Sequence, residues 1–243
     1  MTEVLQYLYA KSMGYTHLFF DADGTLFDFN TSEKKALEKA VRKLCGMWKP
    51  ELADLYHQQT KRTWKELEQK LITLDRLKTL RFERFKEVSG LDFDVERMSK
   101  VYLDFLSQSD DLFPGTMEML EKLYKKYTLV LATNGITSVQ RGRVNSTDTA
   151  KYFKAIIISE EVGVAKPDPA FFQIASEKSG NPPKNKILMI GDSMTSDIPG
   201  AMNFGIDSCL IVMPHKEVPE FAPGERRPNY IVRSFEALEE ILR

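Results

Sequence analysis

Short apolar runs that end in polar or glycine residues recur along this 243-residue chain. Most of these runs are continuous rather than alternating, which is typical of strands covered on both faces of a parallel sheet. Segments with helical periodicity separate them, including Thr116–Lys126, Asp168–Gly180 and Phe235–Leu242. The pattern therefore predicts a doubly wound α/β domain. The predicted strands are His17–Asp21, Thr128–Thr133, Ala155–Ser159, Lys186–Gly191, Ser208–Val212 and a weaker run at Tyr230–Val232.

The segment from Phe29 to Leu112 interrupts this alternation because it contains no convincing strand. Apolar residues recur there at helical spacing instead. We expect an all-helical insert at 29–112, placed after the first strand of an α/β core formed by 1–28 and 113–243. The predicted helices of the insert are Ser32–Cys45, Ala53–Leu74, Asp75–Val88 and Val95–Leu106.

The charge balance argues against two classes of partner. The chain has 34 Lys and Arg against 35 Asp and Glu, so it lacks the basic footprint of a protein that binds nucleic acid or an anionic membrane. The apolar runs are also too short to span a bilayer. The first 15 residues lack the basic and then apolar pattern of a signal peptide. We therefore expect a cytoplasmic protein, in which Cys45 and Cys209 are reduced thiols.

Two carboxylates follow the first predicted strand, in the sequence FFDADGTLFD at 19–28. Ligands of parallel α/β sheets bind outside the carboxyl ends of the strands, so Asp21 is predicted to lie at a binding edge. Residues two apart in an extended chain point the same way, which directs Asp23 to the same place. Gly24 then permits a sharp turn. Taken alone, this pattern equally fits solvated acids in an Asx turn.

Polar residues follow the other predicted strands too. Thr133, Asn134 and Gly135 end the second strand with a hydroxyl, an amide and a flexible glycine, which suit an anionic oxygen. Lys166 follows the third strand. The fourth strand ends in GDSMTSD, which contains two more carboxylates, Asp192 and Asp197.

Several carboxylates at one edge of a sheet repel one another unless a cation lies among them. Mg²⁺ prefers oxygen ligands of this kind, and Mn²⁺ accepts the same set. The strand ends therefore predict a divalent metal site with a lysine and an anion-binding loop beside it.

Four short motifs, in this order and context, resemble those of the haloacid dehalogenase-like (HAD) hydrolase superfamily: DADGT, TNG, AKP and GDSMTSD. The resemblance covers the whole α/β core, and the helical insert resembles a C1-type cap. It implies a Rossmann-like core, Mg²⁺ and an aspartyl-phosphate intermediate. The implied substrate is a small phosphomonoester.

The resemblance assigns roles to four carboxylates. Asp21 becomes the nucleophile. Asp23 becomes the general acid and then the base, and its backbone carbonyl oxygen joins the metal site. Asp192 ligates the metal directly, whereas Asp197 acts through a water or by orienting Lys166.

Phosphate binding is assigned to a second group of residues. Thr133, the Asn134 N–H, Gly135 and Lys166 would hold the phosphoryl oxygens. Lys166 would also stabilise the negative charge of the transition state. The second acid of DADGT favours phosphate ester hydrolysis over dehalogenation, because a halide leaves without a proton.

The stretches FFDADGTLF, TNGITSVQ and SEEVGVAKP resemble the bacterial pyrimidine 5′-nucleotidase branch of the superfamily. They also resemble N-acylneuraminate-9-phosphatase, and a phosphoglycolate-type phosphatase is a further alternative. Within the insert, Trp64 and Arg81 are candidates for contacts with a base or sugar. A phosphomutase and a non-catalytic binding protein remain rival classes, and both a monomer and a homodimer fit the sequence.

Overall fold

The computed structural model of the chain describes residues 14–213, 216–222 and 224–243. The N-terminal segment from which the absence of an export signal was predicted lies almost wholly outside them. Contacts divide the chain into two compact units. The first contains the described residues up to Asp28 together with Leu112–Thr137 and Thr147–Arg243, and the second contains Phe29–Asp111 and Ser138–Ser146.

A six-stranded sheet forms the centre of the first unit. All neighbouring strands pair in parallel, in the order β3-β2-β1-β4-β5-β6, which confirms the predicted doubly wound, Rossmann-like class. The strands are β1 His17–Phe20, β2 Thr128–Thr133, β3 Phe153–Ile158, β4 Ile187–Gly191, β5 Asp207–Ile211 and β6 Tyr230–Val232.

The register of the central strands brings their carboxyl ends to one edge of the sheet. Phe20, the last residue of β1, lies opposite Leu131 of β2 and Ile190 of β4. The strand order reverses between β2 and β4 on either side of β1, which is where ligands of open α/β sheets bind. The register thus places the residues after these three strands side by side.

Helices complete both units. They are α1 Phe29–Cys45, α2 Glu51–Glu68, α3 Leu74–Ser89, α4 Val95–Ser107, α5 Thr116–Leu123, α6 Thr137–Ser146, α7 Ser159–Val162, α8 Pro169–Ser179, α9 Asp197–Phe204 and α10 Phe235–Ile241. Short 3₁₀ turns lie at Thr149–Tyr152 and Lys184–Lys186. Across the described parts of the chain, no helix combines the length and apolar character that crossing a bilayer needs.

One part of the core of the first unit lies between a face of the sheet and helices α8 and α9. Phe19 of β1 and Met189 of β4 are fully buried in one cluster with Phe171, Phe172 and Phe204 of these helices. Asp168 caps α8 by accepting a hydrogen bond from the Ala170 N–H at 2.9 Å. Burial of large aromatic side chains holds α8 and α9 against the sheet.

The second unit is built from α1 to α4 and most of α6. Its core contains fully buried aromatic side chains, among them Phe82 and Phe85. The helix predicted over Ala53–Leu74 is too long, because α2 ends at Glu68. Lys70 adopts a left-handed φ of 59°, and Thr73 then caps α3. Thr73 and Lys70 therefore mark a break that apolar periodicity alone did not reveal.

Three helices have no counterpart among the predicted ones: α6, the one-turn helix α7 and α9. Helix α6 has few apolar residues and carries Gly142 in its middle, and α9 contains Pro199 and Gly200. A Cβ atom on Gly142 would lie 2.4 Å from the Ser107 carbonyl oxygen. This close approach explains why residues 138–146 group with the helical unit, although the sequence placed them in the core.

The two ends of the insert are joined inside the first unit. Phe27 forms an antiparallel bridge with Leu112. The Phe113 N–H donates to the Leu26 carbonyl oxygen at 2.9 Å, and the Thr116 hydroxyl donates to the same oxygen at 3.1 Å. The chain therefore leaves and re-enters the core at adjacent points.

Gly200→Ala is expected to lower the free energy of unfolding of the first unit by about 1–3 kcal/mol. The new Cβ atom would lie 2.5 Å from Phe172 Cε2 and 3.1 Å from the Pro167 Cα atom, so α8 and α9 must move apart. Urea unfolding followed by circular dichroism measures the change. Gly14→Ala is the control because its Cβ atom would have no neighbour within 4 Å. Equal stability of both variants would contradict this packing.

Candidate active site

A buried ammonium group connects three elements at the carboxyl edge of the sheet. Lys166 Nζ donates to Asp21 Oδ1 at 2.6 Å, to Asp197 Oδ1 at 2.7 Å and to the Ala132 carbonyl oxygen at 2.6 Å. The Lys166 residue is 3% exposed and Asp21 is 7% exposed. An ammonium has three protons, so all its donors are used by protein oxygens.

The two carboxylates hold this lysine in its charged form. Burial by itself would lower the pKa of Lys166, but Asp197 and Asp21 together raise it above its ordinary value. The ammonium in turn offsets part of the cost of burying Asp21 and Asp197. The three side chains therefore form one electrostatic unit.

Asn134 fixes the backbone that carries the lysine. Its Nδ2 donates to the Lys166 carbonyl oxygen at 2.8 Å, and its Oδ1 accepts from the Lys166 N–H at 2.8 Å. Both polar groups of the amide are thus used to position the loop after β3. Any contact between Asn134 and an anion is left to its backbone N–H.

Glycines make room for the two carboxylates that follow β4. A Cβ atom on Gly24 would lie 2.3 Å from Asp192 Oδ2, and one on Gly191 would lie 2.1 Å from Asp197 Oδ2. Gly24 also has a φ of 81°, which favours glycine. The loops after β1 and β4 therefore approach each other more closely than side chains would allow.

Asp197 begins α9 and is fully buried. Its Oδ2 accepts from the Ser193 N–H at 3.1 Å, while its Oδ1 accepts from Lys166. Both oxygens thus have protein donors, which fits the role of orienting Lys166 better than that of a direct metal ligand.

Asp23 lies in the tight turn that follows β1. The Gly24 N–H donates to the Phe27 carbonyl oxygen, and the Leu26 and Phe27 N–H groups donate to that of Ala22, each at 2.9 Å. The charge of Asp23 is close enough to raise the pKa of Asp21. Its carboxylate is not part of the group formed by the other three acids, so its contribution to a metal site rests on its backbone carbonyl.

A cation fits between the Asp21 and Asp192 carboxylates, with Asp197 close to both. One oxygen from each of Asp21, Asp192 and Asp197 lies within 4.8 Å of the others. The carboxylates of Asp192 and Asp197 occupy space that side chains at Gly24 and Gly191 would fill. Burial is the main cause that raises the pKa of both Asp21 and Asp192, and neighbouring acids add to it. A hard divalent ion would offset this repulsion, and oxygen is the donor that Mg²⁺ prefers.

Lys216 is a site residue that the sequence analysis missed. Its Nζ forms an ion pair with Asp192 Oδ2, and its side chain is 40% exposed. Lys216 follows β5 within a Pro-rich segment that carries no recognisable motif. The sequence offered one signal for Lys216: it is a lysine in the segment that follows β5, the strand next to β4 in the sheet.

The other predicted residues fall in two places. Thr133 and Gly135 are buried at the end of β2, beside the Asn134 amide. Trp64 and Arg81 belong to the helical unit, on α2 and α3. Arg81 is 1% exposed, whereas Trp64 is partly exposed.

Comparison with known proteins gives matches along most of the chain. A sequence model of the haloacid dehalogenase-like hydrolases matches residues 15–205. Pyrimidine 5′-nucleotidase PynA of Streptococcus pneumoniae is 34% identical over 231 residues, which cover 95% of this chain and 96% of that protein. Pyrimidine 5′-nucleotidase YjjG of Escherichia coli is 31% identical over 230 residues, which cover 95% of this chain and 99% of that protein.

A crystal structure shows the same fold. The HAD-hydrolase YfnB from Bacillus subtilis, bound to magnesium, matches with a TM-score of 0.86 and 28% sequence identity. The match covers 94% of this chain and 99% of that chain.

Lys166→Met is expected to destabilise the first unit by about 3–5 kcal/mol at pH 7, because it leaves two buried carboxylates without their counter-charge. Without the ammonium, the folded-state pKa of Asp21 lies above its unfolded value near 3.9, because burial and the neighbouring acids raise it. Protonation then favours the folded variant, so its deficit relative to the unsubstituted protein shrinks as the pH falls from 7 to 5.

Urea unfolding in EDTA at both pH values measures this deficit. Lys178→Met, on the exposed face of α8, is the matched control and should change little at either pH. A deficit for Lys166→Met that is equal at both pH values would contradict the electrostatic account.

Proposed function

Because this chain belongs to the haloacid dehalogenase-like hydrolase family, we propose that it is a Mg²⁺-dependent phosphatase that hydrolyses pyrimidine nucleoside 5′-monophosphates. The observation that supports this most directly is the group of Asp21, Lys166, Asp192 and Asp197 at the strand ends. A nucleophile, a buried cation and metal-binding oxygens are the parts that phosphoryl transfer needs.

Asp21 is the proposed nucleophile. One of its oxygens attacks the phosphorus atom, an oxygen–phosphorus bond forms, and the bond from phosphorus to the ester oxygen breaks. Lys166 donates to Asp21 Oδ1 and not to Oδ2, so Oδ2 is the oxygen available for this attack. The buried ammonium also stabilises the charge that develops on the phosphoryl oxygens.

Asp23 is the proposed acid and base. It gives its proton to the departing alkoxide and later takes a proton from water, which attacks the phosphorus and releases Asp21 and inorganic phosphate. Its position two residues after the nucleophile, in the turn closed by Gly24 and Phe27, holds it near that carboxylate.

Mg²⁺, when bound, offsets the negative charge of the carboxylates and of the phosphate as they approach. Asp21, Asp192 and the carbonyl oxygen of Asp23 would hold it, with Asp197 keeping Lys166 in place. Mn²⁺ fits the same oxygen donors. The Thr133 hydroxyl and the N–H groups of Asn134 and Gly135 would bind the phosphoryl oxygens.

The substrate class rests on the two pyrimidine 5′-nucleotidases that match nearly the full length of this chain. The resemblance to N-acylneuraminate-9-phosphatase makes that sugar phosphate the main competitor. Phosphate release with Mg²⁺ across pyrimidine and purine monophosphates and N-acylneuraminate 9-phosphate tests the proposal. A preference for pyrimidine monophosphates supports it, and a preference for the sugar phosphate overturns the substrate class alone.

Asp21→Asn is expected to remove turnover of every phosphomonoester while the fold is kept, because an amide is a poor nucleophile. Phosphate release and circular dichroism measure the two effects. Asp168→Asn is the matched control, since asparagine caps a helix as well as aspartate does. Near-normal kcat in Asp21→Asn would remove Asp21 from the role of nucleophile.

Asp23→Asn is expected to separate substrates by their leaving groups. A nucleoside alkoxide needs a proton, so uridine 5′-monophosphate hydrolysis should fall by about 10²–10⁴-fold. The p-nitrophenolate leaving group needs none, so p-nitrophenyl phosphate should give a burst of one equivalent of phenolate per enzyme, followed by slow turnover. Stopped-flow absorbance detects the burst, and equal losses on both substrates without a burst would contradict the assignment.

A further inference from the structure

A second cluster of buried polar groups lies inside the helical unit. Six buried side-chain atoms form this cluster: three hydroxyls lie close enough to one another to interact, and the other three atoms have no hydrogen-bond partner among the described residues. They come from all four of the first helices, α1 to α4. The atoms are Glu33 Oε1, the Tyr56 hydroxyl, Thr60 Oγ1, Arg81 Nε, Arg81 Nη2 and the Tyr102 hydroxyl.

Arg81 is the most costly member of this cluster. It is 1% exposed, and its guanidinium lies 5.3 Å from the ring centre of Phe82 and 5.0 Å from that of Tyr102. It forms no ion pair with any described residue. Aromatic faces offset only part of the cost of burying a cation, so the guanidinium lacks the acceptors that a structural arginine normally has.

Glu33 supplies the opposite charge without pairing with Arg81. It is 4% exposed, and its Oε2 accepts from His57 Nδ1 at 2.7 Å, which leaves Oε1 unpartnered. Both Glu33 and Arg81 act electrostatically on the hydroxyls of Tyr56 and Tyr102. Glu33 and Arg81 therefore both lie close to the hydroxyls of Tyr56 and Tyr102.

The cluster extends toward the surface along one face of α2. Tyr56, Thr60 and Trp64 follow one another at intervals of four residues, so they line up on that face. Tyr56 is fully buried, whereas Trp64 is partly exposed. At the other side of Glu33, the His57 side chain is 48% exposed. Both ends of the cluster thus approach solvent.

We propose that Glu33 and Arg81 bind the base of the substrate, with Glu33 accepting an N–H group and Arg81 donating to a ring carbonyl oxygen. This inference rests on the proposed function and names specificity-determining residues for it. A pyrimidine base carries an N–H donor beside a carbonyl acceptor, and its flat ring suits a setting of aromatic side chains. The unpartnered atoms of the cluster are the complementary groups.

Arg81→Met is expected to lower kcat/KM for uridine 5′-monophosphate by about 10–100-fold, because hydrogen bonds to a charged group are lost. Hydrolysis of p-nitrophenyl phosphate, which has no base, should stay within about twofold. The urea midpoint should be unchanged or higher, because the variant no longer buries an uncompensated charge. A purely structural arginine would instead lower the midpoint and the activity on both substrates.

Arg84→Met is the matched control. It makes the same substitution three residues further along α3, at an arginine that pairs with Glu66 on the surface side. It should leave the ratio of kcat/KM for uridine 5′-monophosphate to that for p-nitrophenyl phosphate unchanged. Glu33→Gln should lower the activity on uridine 5′-monophosphate, again with little effect on p-nitrophenyl phosphate.

Binding of uridine to the metal-free protein, measured by calorimetry, tests the inference independently of turnover. Binding that is retained in Arg84→Met and lost in Arg81→Met supports it even if no phosphomonoester is hydrolysed, in which case only the proposed function fails. Absence of uridine binding to the unsubstituted protein overturns the inference. Equal losses in Arg81→Met on adenosine and uridine monophosphates overturn its restriction to pyrimidines.

Discussion

A single buried ammonium determines how the carboxyl edge of the sheet is organised. Lys166 binds the acid that ends β1, the acid that begins α9 and a carbonyl oxygen of β2, while Asn134 locks its backbone. Two carboxylates cannot be buried this close together without such a counter-charge. The segments after β1, β3 and β4 therefore converge with β2 on one cation, whose three protons are shared among oxygens of Asp21, Asp197 and Ala132.

Buried charges have close partners in the first unit but lack some of them in the helical unit. In the first unit, the charges of Lys166, Asp21 and Asp197 are matched within 2.7 Å. In the helical unit, Arg81 is buried without an ion pair among the described residues, and Glu33 bonds to His57 through Oε2 but leaves Oε1 unpartnered. The first arrangement is complete within the protein, and the second lacks partners of the kind that a polar ligand brings. If the proposed function holds, chemistry and substrate recognition are thereby divided between two parts of one chain.

Continuous apolar strands were predictable because burial on both faces leaves an unmistakable pattern, and each observed strand agrees with its predicted run to within two residues. The acids and the lysine were predictable because they follow those strands. Helices α6 and α9 were not, since glycine, proline and polar residues mask their periodicity. Lys216 and Glu33 were also missed. Their roles come from contacts with residues distant in sequence, Lys216 with Asp192 and Glu33 with His57 and the cluster around Arg81, and no local pattern encodes such contacts.

The bridge between Phe27 and Leu112 has an evolutionary consequence. Because the core itself joins the two points where the chain departs and returns, the register of the sheet does not depend on what lies between them. A gene can exchange the intervening segment as a module, provided that the surface that packs against Gly142 of α6 is kept. New substrate ranges can then arise by replacing one contiguous stretch of sequence, while the inherited chemistry is passed on unchanged.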